Sequence, residues 1–207
     1  MASYKMWKAP ACGVIAAMVA INAGAIASFA QPLAAQSTTP ACEARGSQDS
    51  LASRPSPLDS TTVMVGGREV KVCYSRPSAR GRVIFGQLVE YGKPWRTGAN
   101  EPTMFFVPDT MEIAGVRLGP GRYILRTIPE RQEWTLLFHT TSESDPQRMP
   151  QALEEVGRAS VPARTLTAPV EQFTIRPDTA DGAATLVLEW ERTQVVVPIR
   201  ATGSGGR

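Results

Sequence analysis

Between Thr62 and Ile199 apolar and polar residues alternate with a period of two, and Gly- and Pro-rich turns cut the alternation into short pieces. A chain with that period puts its apolar side chains on one side of a pleated strand and not on one stripe of a helix. In Arg68 to Tyr74, for example, Val70, Val72 and Tyr74 share a face, while Glu69, Lys71 and Cys73 share the other. In Ala183 to Glu191, Ala184, Leu186, Leu188 and Trp190 point one way, and Thr185, Val187, Glu189 and Glu191 the other. Thr62–Val65, Gly66-Gly67 and Arg68–Tyr74 read as a hairpin on a two-glycine turn. Further strands are expected at Arg82–Phe85, Thr103–Val107, Thr110–Ile113, Val116–Leu118, Arg122–Ile128, Trp134–His139, Ala163–Ala168, Val170–Ile175 and Gln194–Ile199. Gln147–Gly157 is the one stretch predicted as helix, with Glu154 and Glu155 facing water. No helix separates consecutive strands, so parallel crossovers are unavailable. The expected fold is all-β, an antiparallel β-sandwich or barrel-like form of about ten short strands with one short helix.

The ends read differently. Residues 1–35 have the order of a secretory signal: Lys5 and Lys8 without an acid, the apolar run Gly13–Ile21, then Leu33-Ala34-Ala35 before Gln36. Ser28-Phe29-Ala30 is a second possible cleavage site. The rival is an uncleaved anchor over Ala9–Ala30, for which Pro10, Asn22 and the alanine content are poor. No cysteine follows Leu33-Ala34-Ala35, so lipid anchoring is not expected. Residues 36–59 are rich in Ser, Thr, Pro, Ala and Gln and read as a disordered linker. Residues 60–200 form the β domain and 201–207 a Gly/Ser tail. The protein is therefore expected to be exported, to the periplasm or beyond, and to meet a membrane only through an uncleaved leader.

Export changes the meaning of the cysteines. Cys12 leaves with the leader, and Cys42 and Cys73 remain. Two cysteines in an oxidising compartment more often pair than not, tying the linker to the first hairpin. The alternative is a free thiol in a mobile tail and another half-buried on a strand. The formal charge is +3, and +1 without the two lysines of the leader. No basic block longer than two residues occurs, so nucleic acid is not an expected partner.

Inventory weakens most enzyme classes. His139, the one histidine, stands at a strand end and is expected at the surface. No G-x-S-x-G elbow, P-loop or G-x-G-x-x-G is present. One histidine and two pairing cysteines do not make a zinc site, so no metal and no cofactor is expected. Glu189 and Glu191 have a spacing that suits paired acids, but the solvated face of a sheet explains it as well.

The stretch from Arg76 to Glu101 stands out. It holds five basic residues against two acids, four glycines, and the aromatics Tyr91 and Trp95. Much of it must be loop, and long loops in compact domains are often functional. Arg76, Arg82 and Arg96 offer planar forks for a carboxylate or phosphate. Asn100 can donate and accept, and Trp95 can wall a pocket. In the plainer reading Arg96 pairs with Glu101 to brace the loop, and Trp95 plugs the core.

The same residues carry a family resemblance. Tyr74-Ser75-Arg76-Pro77-Ser78, Gly81-Arg82-Val83-Ile84-Phe85-Gly86, Leu88-Val89, Tyr91-Gly92-Lys93, Trp95-Arg96-Thr97-Gly98-Ala99-Asn100-Glu101, Gly121-Arg122-Tyr123 and Thr185-Leu186-Val187-Leu188-Glu189-Trp190-Glu191 resemble the DUF2911 family, exported bacterial proteins whose function is not defined. The resemblance runs from about Val63 to Ile199, with Trp95–Glu101 its most specific part. It implies that this loop is the family's hallmark and brings no reaction with it. The chain departs from the pattern at Glu90, Pro94 and Pro102, and the region after His139 is shorter and more polar.

Three readings follow. In the first, Arg76, Arg82, Trp95, Arg96, Asn100 and Glu101 bind a small anionic or sugar-like ligand. In the second, a metal-free hydrolase or lyase uses Glu101 as acid or base and Arg96 to stabilise negative charge. In the third, the hallmark braces a structural or interaction domain.

Overall fold

The computed structural model describes residues 40–44, 46–140, 153–179 and 183–202, which belong to one compact unit, residues 38–207. The leader (1–35), the end of the tail (203–207) and residues 147–152 of the expected helix lie outside the described residues.

Short helix α1 (Gln48–Ala52) precedes nine strands: β1 (Leu58–Val65), β2 (Arg68–Ser75), β3 (Thr103–Val107), β4 (Met111–Ile113), β5 (Val116–Leu118), β6 (Gly121–Pro129), β7 (Glu133–Thr140), β8 (Glu154–Asp178) and β9 (Ala184–Ala201). All pair antiparallel in one sheet, in the order β1-β2-β3-β6-β7-β8-β9-β4-β5. The fold is all-β, as the period-two pattern predicts. The Gly66-Gly67 hairpin is present, with both glycines at positive φ (56° and 75°), as a primed two-residue turn requires.

β8 gives the sheet its shape. From Glu154 to Pro162 it pairs with β7, and from Ala163 to Asp178 with β9. The change falls at Pro162, which has no N–H to continue a ladder. The β8–β9 ladder breaks twice more: β8 advances from Thr165 to Val170, and then to Thr174, while β9 moves only from Thr193 to Glu191 and to Glu189. Glu191 takes a left-handed φ of 52° opposite the bulge. Such bulges bend a strand and increase its twist. The sheet thereby curls, and β8 and β9 come back against β1.

Inside the curl, Val70, Val72 and Tyr74 of β2 meet Leu136 and Phe138 of β7 and Leu186, Leu188 and Trp190 of β9, all buried. Each such side chain contributes about 1.5–3 kcal/mol of burial. The other face is not simply solvated. Cys73, Met104, Ile124 and His139 stand in register across β2, β3, β6 and β7, and of these Cys73, Ile124 and His139 are buried.

Several expectations are corrected. Glu154–Gly157 open β8 and are not helical, and the one described helix is α1. Propensity in that stretch yields to pairing with β7, where His139 faces Glu155 across a bulge. Arg82–Phe85 is not a strand, because Ile84 to Val89 close a tight loop through Gly86 N–Val89 O and Val89 N–Ile84 O bonds. The pieces Ala163–Ala168 and Val170–Ile175 are parts of one strand, because a bulge interrupts the apolar pattern without ending the pairing with β9. His139 is 6% exposed, not at the surface. Glu189 does not face open solvent, since the Arg176 fork and Gln194 hold it.

Candidate functional site

The hallmark loop begins on the sheet. Trp95 N donates to Thr127 O (2.7 Å) and Thr127 N to Trp95 O (2.9 Å), so the loop starts as a bridge to β6. This turns the indole inward, where it stacks on Trp190 (5.7 Å between centroids, 19° between planes) and meets Phe85, Trp134 and Phe173. The loop then passes below the surface. Thr97 is fully buried at a φ of 58°, its hydroxyl donates to Thr127 Oγ1 (3.0 Å), and Thr103 Oγ1 donates to its carbonyl (2.7 Å). Gly98 runs so close to β2 that a Cβ would lie 3.0 Å from Ser75 O, which is why no side chain fits there.

At its end the loop reaches the segment before β1. Asn100, at a φ of 56° that asparagine tolerates well, donates from Nδ2 to Ser56 O (3.1 Å). Glu101 is 4% exposed. Its Oε1 accepts from Arg54 Nη1 at 2.7 Å and its Oε2 from Ser75 Oγ at 3.1 Å. Arg96 stays exposed and donates to Asn100 O (3.2 Å), so the partner of Glu101 is Arg54 where the plain reading has Arg96.

Residues 40–57 form a strap along the domain. Lys71 Nζ donates to Pro40 O, Cys42 is bridged to Cys73 with 5.6 Å between their Cα atoms, and Arg122 pairs with Glu43. Ser47 caps α1, Arg54 and Ser56 meet the hallmark loop, and Arg76 N donates to Pro57 O. The composition that reads as linker thus covers a segment with partners along its length. A short polar segment cannot order itself by burial, but the domain supplies the bonds.

The basic residues upstream are engaged as well. Arg76 spreads its fork over Phe173 O, Thr174 Oγ1 and Asp59 Oδ2, joining β8 to β1. Arg82 donates to Ala79 O and Ser78 O. The six residues expected to share a ligand therefore attach to different parts of the fold: Arg76 to β1 and β8, Arg82 to its own turn, Trp95 to the core, Arg96 to its own loop, and Asn100 and Glu101 to the strap. Burial pushes the Tyr74 phenol above its ordinary range, with Asp59 adding to the shift and the Ile175 backbone and Arg76 opposing it. Its hydroxyl donates to Ile175 O and accepts from Ile175 N. Burial would raise Glu189, but hydrogen bonds from Arg176 and Gln194 outweigh it and hold the carboxyl below its ordinary value. Glu191 accepts from Ile84 N, so both acids of the strand carry structure. Among the described residues, no group of three or more His, Cys, Asp or Glu is placed to hold a metal ion.

Sequence reasoning misses Arg54, Ser75 and Thr127. The signal available for Arg54 is indirect: a Cys42–Cys73 bridge already draws the preceding segment onto β2.

A family model described as a protein of unknown function, DUF2911, matches residues 56–199. The chain belongs to the DUF2911 family. The match covers every strand of the DUF2911 domain except the last residues of β9, and begins just after Arg54. The Trp95–Glu101 loop therefore clasps a residue, Arg54, that lies outside the matched residues. No curated protein and no solved structure matches the chain.

Proposed function

We propose that this is an exported structural and interaction domain in which the Trp95–Glu101 loop acts as a clasp for the N-terminal strap. The observation that carries the reading is the Glu101 carboxylate, 4% exposed and engaged by Arg54 and Ser75. An acid or base must reach the proton it moves, and a carboxylate bound on both oxygens is poorly placed to do so. Trp95 likewise spends its ring on the core. The Cys42–Cys73 bridge supports export, because it is the chemistry of an oxidising compartment.

The test is Glu101→Gln, which keeps the shape of the side chain and removes its charge. Breaking one partner of a buried pair costs about 3–5 kcal/mol, with the lower end expected because Arg54 is 17% exposed. Hydrogen exchange should rise at the amides of Leu51, Ser53 and Arg54, while β2 and β6 stay protected. An unchanged unfolding midpoint and an unchanged strap, together with loss of a ligand response or a turnover, would return the loop to the role of a site.

A further inference from the structure

Beside the clasp lies a depression of about 210 Å³ lined by Pro55 and Ser56 of the strap and by Pro77, Ser78, Arg80 and Arg82. We propose that it binds a doubly charged tetrahedral oxyanion, a phosphate or sulfate group, free or carried on a small ester.

The argument starts from the turn Ala79–Arg82. Arg82 N donates to Ala79 O (3.0 Å), and the two central residues, Arg80 and Gly81, both have positive φ (53° and 70°). Glycine takes that conformation freely, but arginine does so only under constraint, and such outliers cluster where a side chain is being aimed. The constraint comes from β8. Ala79 N donates to Glu171 O, and Arg80 N to Glu171 Oε1 (2.8 Å). The Arg80 backbone is thus fixed while, among the described residues, nothing engages its guanidinium.

Arg82 is held differently. Its Nε donates to Ala79 O (2.9 Å) and its Nη2 to Ser78 O (2.8 Å). Two of its five N–H groups fix the plane of the fork, and three remain for a ligand. An ordered fork loses little freedom on binding, which favours affinity. Ser56 and Ser78 add a hydroxyl each.

Three carbonyls of the lining residues are occupied, with Pro77 O accepting from Phe173 N. Ser56 O accepts from Asn100, and Ser78 O and Ala79 O accept from Arg82. The one carboxylate on the turn, Glu171, takes the Arg80 N–H and does not line the depression. Pro55 and Pro77 form rigid walls without N–H groups. What is left to offer is two cations and two hydroxyl donors. A ligand rich in acceptors and carrying two negative charges satisfies that set, and a singly charged carboxylate leaves one guanidinium uncompensated.

The probe is inorganic phosphate at constant ionic strength, with sulfate, acetate and a sugar phosphate as parallel arms, and the readouts are the unfolding midpoint and backbone amide shifts. Phosphate and sulfate should raise the midpoint in proportion to the logarithm of their concentration once it exceeds the dissociation constant, and the amide shifts should saturate and centre on Ser78–Arg82. Arg80→Gly suits the positive φ and removes the whole side chain, guanidinium included, while leaving the turn's backbone bonds. It should fold with a similar midpoint and bind at least about tenfold more weakly, as for one lost charge-assisted hydrogen bond. Arg82→Lys keeps the charge without the fork and should also weaken binding. A sugar phosphate binding more tightly than phosphate would assign the site to an ester, and equal binding to the free ion. No saturation beyond that of sodium chloride, full binding by Arg80→Gly, or acetate binding as well as phosphate would each overturn the proposal. None of these outcomes touches the clasp, which the exchange of the strap amides reads separately.

Discussion

Glu101 and His139 show how little a residue's type says about its surroundings. A carboxylate costs several kcal/mol to bury unless its charge is met, on the order of the worth of a whole core side chain. Glu101 is met by Arg54, which lies 47 positions away along the chain. His139 is buried too, but its Nδ1 has no hydrogen-bond partner among the described residues. Burial first, and then Arg126, hold its imidazole below the ordinary value of 6.5, against the opposing pull of Glu155. Folding therefore favours the neutral ring over the protonated one. Above 6.5 both folded and unfolded chains are neutral at this residue and nothing is lost. Below it the unfolded chain takes up the proton first, so stability falls until the pH has passed through the folded value. A urea midpoint followed downward from neutral pH should show this fall, and His139→Gln should remove it from that window. Glu189 acts in a more acidic window. Its folded value is depressed, so its contribution is present above the ordinary carboxylate range and is lost as pH falls through the folded value.

At the scale of elements, the strap and β8 do the unexpected work. The strap has one short helix and no strand, and its order comes from what it is tied to. The Cys42–Cys73 bridge closes a separation of 31 residues, and a loop of that size contributes about 3–4 kcal/mol through the unfolded chain. Reduction, or Cys42→Ala with Cys73→Ala, should lower the unfolding free energy by about that much. Limited proteolysis of the reduced protein should cut first within residues 40–57 and leave the sheet intact. Cleavage that starts in the sheet would mean that the bridge holds more than the strap. β8 does its work through interruptions. At Pro162 the strand passes from one partner to the other, the bulges near Val170 bend it, and the sheet curls as a result. Gly157 belongs to the same logic, because a Cβ there would collide with Val116 of β5.

Over the whole molecule, the aromatic cluster of Phe85, Trp95, Trp134, Phe173 and Trp190 joins loop, β7, β8 and β9 into one core. Trp95 belongs to both the hallmark and this cluster, so Trp95→Ala should cost about 3–5 kcal/mol. It should also lower the midpoint of every probe together, because the loop and the sheet unfold as one unit. If the loop melted alone while the sheet held, the hallmark would not be part of the core. The sequence by itself determined the all-β class, the positions of most strands, the Gly66-Gly67 hairpin and the family. Those properties are written locally, in a period of two, in turn residues and in short motifs. Tertiary structure alone decided that β8 changes partners, that the polar strap is ordered, that Glu101 meets Arg54 and not Arg96, and that His139 is covered. Each of these depends on which distant groups arrive at one place, and the free energy of a buried charge or an ordered strap resides in that meeting, not in the residues that precede or follow it along the chain.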